Sequence, residues 1–156
     1  MFNLLRILTI FILIYSQSYA NDLKINKTDS PPKIYNWQVL RVVDGDTLEI
    51  ANEFLPKELK LFVRINGIDT PEKEFRAKCQ HEKILGLKAS EFTEKAIKTA
   101  KIKNQKISFS EIKWDKYGGR IVAIVKIADK NLGDELIKNG LAKPYNGKKK
   151  ASWCNK

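Results

Sequence analysis

Three acidic segments and two arginines in this 156-residue chain are spaced like parts of one reacting site. Asp44-Gly45-Asp46-Thr47 lies between two β-rich runs, Arg64 ends the next run, and Asp69-Thr70-Pro71-Glu72 follows shortly after. Asp115-Lys116-Tyr117-Gly118-Gly119-Arg120 precedes an apolar run. Asp46 and Asp69 offer hard oxygen ligands suited to Ca²⁺, which also accepts carbonyls and waters. Glu72, close to Asp69 in sequence, can take a proton from water. Arg64 and Arg120 can grip phosphate oxygens with paired N–H donors and neutralise charge as it develops. These are the parts that phosphodiester hydrolysis needs. Each also has a plainer reading. D-G-D-T is first of all a hairpin turn. Arg64, Asp69 and Glu72 can be a surface ion-pair cluster. Asp46 and Glu72 could serve as the carboxylate pair of a glycosidase, although flanking arginines suit a phosphodiester better than a neutral glycosidic bond.

These residues need a scaffold, and the patterning supplies one. Trp37–Val43 and Thr47–Ala51 are β-rich and meet at Asp44-Gly45-Asp46, a tight-turn signal. Leu59, Leu61, Val63 and Ile65 alternate with polar or larger residues, the period of a half-buried strand, with Arg64 on the face opposite the aliphatic set. Ile84–Lys103 has the helical period: Leu85, Ala89, Phe92, Ala96 and Ala100 share a stripe, and Lys88, Glu91, Glu94, Lys95 and Lys98 form a solvated face. Ile107–Ile112 and Ile121–Ile127 read as strands, the second apolar enough for burial on both faces. Asn131 caps a short helix that Gly140 stops. The fold class is α+β, mainly β: five short strands curling into a small barrel with helices packed outside.

Composition narrows the chemistry. One His and two Cys exclude a His-rich zinc site, a two-His acid/base pair, a zinc finger and an unaided iron–sulfur cluster. The 29 Lys+Arg against 18 Asp+Glu give a net charge of +11, which favours polyanions. Met1–Ala20 has a basic residue, Arg6, then a short apolar run, then Ser18-Tyr19-Ala20, the pattern of a secretory signal peptide. Residues 21–34, with Ser30-Pro31-Pro32, read as a flexible leader, and residues 35–156 as one domain. Export places Cys79 and Cys154 in an oxidising compartment, where a single disulfide is the default. The expected location is therefore secreted or periplasmic, without stable membrane association once the signal is removed. His81, Trp37, Trp114 and Trp153 are read as surface or packing residues, and Lys148-Lys149-Lys150 as a solvated turn.

The D-G-D-T turn, the R-x₄-D-T-P-E block, the D-K-Y-G turn and the G-L-A-K stretch Gly140–Lys143 occur here in one order. In that order the chain resembles the staphylococcal nuclease (thermonuclease) family from about Trp37 to Trp153. The resemblance implies an OB-type five-stranded barrel with about three helices. It implies Ca²⁺ held by Asp46, Asp69 and the Thr70 carbonyl, with Asp44 supporting. It implies catalytic roles for Arg64, Glu72 and Arg120, and substrate contacts from Lys116, Tyr117 and Tyr145. The implied reaction is hydrolysis of DNA and RNA at the P–O5′ bond, leaving 3′-phosphates; no base-reading motif is visible, so little sequence specificity is expected, with access favouring single-stranded or frayed segments. A monomer is expected. The family pattern D-x-Y-G-R has its arginine directly after the glycine, whereas here Gly119 intervenes. A one-residue slip in a strand turns the side chain to the other face; a bulge or looser turn restores its aim, and that is the expectation. The competing reading is a catalytically silent OB-fold module that binds nucleic acid.

Overall fold

The computed structural model describes residues 31–51, 56, 58–116 and 118–154. The signal-peptide reading and most of the leader reading lie outside the described residues, as does Tyr117. β1 (Val39–Asp44) and β2 (Thr47–Ile50) form a hairpin whose tip is Gly45-Asp46, and β3 (Leu61–Ile65) lies antiparallel to β2. A two-residue strand β4 (Ile68–Asp69) leads to a single 3₁₀ turn, Glu74–Arg76, and then to the long helix α1 (Gln80–Ile102). β5 (Ile107–Trp114) and β6 (Arg120–Ile127) form a second hairpin, and β6 joins β3 in parallel. β7 (Lys130–Asn131) pairs with β6, α2 (Leu132–Lys138) follows, and β8 (Lys143–Pro144) pairs with β4. Among the described residues no helix is long and apolar enough to cross a membrane.

The sheet runs β1-β2-β3-β6-β5. It is mixed and mainly β in content, as expected, but it is not a closed barrel. β1 shifts register twice against β2, and among the described residues no ladder joins it to β5. One reciprocal bridge links the edges, with Tyr35 and Phe109 exchanging N–H···O bonds of 2.9 and 2.8 Å. Nor are there three full helices among the described residues: the third is the 3₁₀ turn, where Glu74 at a φ of 56° cannot propagate a right-handed helix. The core is Leu48, Ile50, Val63, Ile65, Phe109, Val125 and Leu136, each at most 2% exposed. Burying each such side chain stabilises by roughly 1.5–3 kcal/mol before chain entropy is counted.

Three local differences from the pattern have physical causes. α1 starts a turn earlier than its apolar period because Cys79 caps it, with Sγ accepting from the Glu82 N–H, and the first turn has no apolar residue to mark it. Its buried face is Gly86, Ala89, Ser90, Thr93, Ile97 and Ala100, so the packed stripe is of smaller residues than expected, while Leu85, Phe92 and Ala96 are half-buried. β6 is buried on one face only: Ile121, Ala123 and Val125 face the core, and Val122 on the other face lines an open cavity. The α2 signals hold. Asn131 Oδ1 accepts from the Gly133 N–H at 2.8 Å, and Gly140 takes a φ of 69° while the next N–H, that of Leu141, bonds back to the Leu136 carbonyl.

Candidate active site

α1 aligns both acidic segments. At Gly86 a Cβ would lie 2.4 Å from the Glu72 carbonyl oxygen, and at Gly45 a Cβ would lie 2.7 Å from the Ala89 Cβ. The Thr93 hydroxyl donates to the Gly45 carbonyl at 2.7 Å. Gly45 is thus required for close approach rather than for a left-handed turn, since its φ lies outside that region. The small-residue face of one helix therefore fixes the D-G-D-T tip and the D-T-P-E segment relative to each other. β2 and β3 complete the arrangement by placing Thr47 opposite Arg64.

The result is a tight knot of charge. Asp46 and Asp69 are each 3% exposed, and Arg64 reaches both. Its Nη2 lies 2.9 Å from Asp46 Oδ2 and 3.2 Å from Asp69 Oδ1, and Nη1 donates to Asp46 Oδ1 at 3.2 Å. The Thr47 hydroxyl and the Thr70 N–H also donate to Asp46. Burial raises the Asp46 carboxyl above its ordinary range, and Arg64, the Thr70 N–H and Thr47 offset this only in part. Two buried carboxylates side by side make an all-oxygen donor set, which fits a hard divalent cation. Trp153 Nε1 stands 3.5 Å from the other Asp69 oxygen.

Glu72 sits beside this pair, between Lys150 Nζ at 3.2 Å and Arg76 Nε at 3.5 Å. Lys150 also meets Asp69 Oδ1 at 2.8 Å. Partial burial would lower the Lys150 ammonium, but its hydrogen bonds and charge contacts with Asp69 and Glu72 outweigh that and raise it. Asp44 pairs with Arg76 at 2.6 Å and with Lys73 at 3.6 Å.

These groups lie at a cavity of about 690 Å³ that Arg120, Lys116 and Tyr145 also line. Arg120 is the first residue of β6, held by Asp115 through Nε at 2.7 Å and Nη2 at 2.6 Å. Gly118 and Gly119 both take left-handed φ values, 70° and 62°, so the extra glycine is absorbed in a looser turn and Arg120 still lines the cavity. Lys116 Nζ donates to the Gly147 carbonyl at 3.2 Å. The Tyr145 ring lies 6.0 Å from the Arg64 guanidinium carbon, and its N–H donates to the Gly67 carbonyl.

Four participants escaped the sequence reading. Arg76 had a usable signal, standing four residues after Glu72. Lys150 had none, being one of three consecutive lysines. Trp114, read as core or rim packing, is 77% exposed and lines the cavity, after an irregularity between Ser110 and Lys113 where Glu111 takes a φ of 53°. Trp153 does pack, but against a candidate ligand. Cys79 and Cys154 are disulfide-bonded, with Cα atoms 6.0 Å apart, and His81 is exposed.

Residues 62–154 match the family described as staphylococcal nuclease homologue. The matched stretch begins after D-G-D-T and includes Arg64, Asp69, Glu72 and Arg120. The chain is 30% identical over 138 residues to a thermonuclease of Staphylococcus intermedius, covering 88% of this chain and 76% of that protein. It is 30% identical over 131 residues to endonuclease YhcR of Bacillus subtilis (strain 168), covering 80% of this chain and 10% of that protein. A thermonuclease of Staphylococcus hyicus is 28% identical over 107 residues, 69% of this chain and 57% of that protein.

Proposed function

The chain belongs to the staphylococcal nuclease family, and from that premise we propose that it is an exported, calcium-dependent nuclease that hydrolyses DNA and RNA with little sequence specificity and leaves 3′-phosphates. The observation that carries this reading is the meeting of Asp46 and Asp69 on one guanidinium, with Glu72 beside them, at the wall of a cavity lined by a second arginine. Asp46, Asp69 and the Thr70 carbonyl would hold Ca²⁺, which when bound supplies charge neutralisation for the phosphate.

The chain's own groups do the rest. Arg64 and Arg120 hold non-bridging phosphate oxygens and stabilise the added negative charge of the transition state. Glu72 orients a water and takes its proton as the water oxygen attacks phosphorus. The P–O5′ bond breaks, the 5′ oxygen leaves as a hydroxyl by taking a proton from solvent water, and the phosphate stays on the 3′ side. Lys116 and Tyr117 contact a terminal phosphate of the nucleotide, and Tyr145 a base or a phosphate. The sequence shows no base-reading motif, so access to a flexible strand sets preference, and single-stranded or frayed segments react first. Residues 1–20 direct export and residues 35–156 act as a monomeric nuclease domain.

The test is cleavage of single-stranded DNA and RNA by the purified oxidised chain with Ca²⁺, Mg²⁺ or excess chelator. Calcium-dependent cleavage that falls about 100-fold or more in Glu72→Gln is the expected result. Salt-sensitive binding without cleavage in the wild type would replace the reading with a silent binding module.

A further inference from the structure

The last residues of the described chain form a strap across the site. Cys154 is bonded to Cys79, the cap of α1, and Trp153 is buried with its indole N–H beside Asp69. Lys143 clamps this turn, with Nζ 4.2 Å above the Trp153 ring and 2.7 Å from the Ser152 carbonyl. Three residues before Trp153, Lys150 inserts its ammonium between Asp69 and Glu72, at 2.8 and 3.2 Å. The disulfide, the buried Trp153 and the Lys143 clamp anchor the segment that carries it.

The charges around it balance. Asp44, Asp46, Asp69 and Glu72 face Lys73, Arg64, Arg76 and Lys150, one cation for each carboxylate. A divalent cation entering at Asp69 adds two charges to a neutral cluster at contact distance from an ammonium, where like charges repel strongly. One resident cation must then give way. Arg64 is the poorer candidate, its side chain only 15% exposed and bonded to both buried carboxylates. Lys150 is 44% exposed and sits on the solvent side.

We propose that Lys150 is a tethered counter-ion of this site: it occupies the Asp69 and Glu72 oxygens in the absence of a divalent cation, competes with that cation for them, and so sets the site's metal affinity. The Cys79–Cys154 bond keeps the ammonium at high effective concentration. The inference rests on the reading of Asp69 as a metal ligand. Lys150 acts through the carboxylates and is a positioning residue, not a catalytic one.

The experiment is calorimetric titration of the full oxidised chain with CaCl₂ alone, without nucleic acid. If Lys150 holds the carboxylates nine-tenths of the time, its removal tightens the apparent Kd roughly tenfold. Lys150→Met should therefore bind Ca²⁺ about tenfold more tightly than wild type, and Lys150→Arg should keep the weaker wild-type value. In a Cys79→Ser/Cys154→Ser background, checked for folding by circular dichroism, the gain from Lys150→Met should shrink. Equal or weaker binding by Lys150→Met overturns the inference and leaves the metal site standing. An undiminished gain without the disulfide overturns the tether. If folded wild type and folded Lys150→Met both fail to bind millimolar Ca²⁺, the metal-site reading itself falls and takes the inference with it.

Discussion

Arg64 is the residue on which the two buried carboxylates depend. Removing one partner of a buried ion pair leaves an uncompensated charge and costs about 3–5 kcal/mol. Arg64→Ala should lose stability on that scale in chelator, because Asp46 and Asp69 keep burial and lose their shared cation. Saturating Ca²⁺ should return part of the loss, and chemical denaturation with and without the ion measures both. Asp46 gives the complementary case. Ca²⁺ at a hundredfold excess over its Kd should stabilise the wild type by about 2.7 kcal/mol. Asp46→Asn should fold but lose that calcium-induced rise in Tm. A retained rise would move the ion away from Asp46.

At the scale of elements, α1 is the jig. Its small face lets the helix backbone approach both acidic segments, and the tightest contact is Gly86 on the Glu72 carbonyl. That neighbour is backbone, which cannot rotate aside. Gly86→Ala should therefore cost about 1–3 kcal/mol through overpacking. It should also displace Glu72, so activity should fall further than stability explains. Comparing kcat and Tm of Gly86→Ala with those of Ala89→Gly, which leaves Glu72 untouched, separates the two effects. The β5–β6 turn shows the opposite use of glycine: Gly118 and Gly119 take conformations that other residues adopt at a cost, and this loosened turn carries Arg120 into the cavity despite the extra residue.

At the scale of the molecule, the disulfide spans 75 residues and ties the end of the chain to the start of α1. Closing a loop of that size stabilises by about 4 kcal/mol in the chain-entropy account. Reduction should lower the urea midpoint accordingly, and an unchanged midpoint would mean that Trp153 and Lys143 hold the strap unaided. Hairpins, the long helix, the Asn131 cap and the Gly140 stop were legible in the sequence because each is written in local periodicity or turn chemistry. So were Asp46, Arg64, Asp69 and Glu72 as a candidate site, since their order and residue types limit the chemistry they can do. What the sequence could not state was set by distance in space. Lys150 lies 78 positions from Glu72, and no local pattern distinguishes it from Lys148 or Lys149. The roles of Gly45 and Gly86 depend on what a Cβ would strike, which only the packed helix reveals. The open edge between β1 and β5 depends on register, which alternation of residue types leaves undetermined. The sequence by itself determined the candidate groups and the local elements, because those follow from residue type and period. Only the tertiary structure decided which cations neutralise which carboxylates, because that balance is struck between segments far apart in the chain.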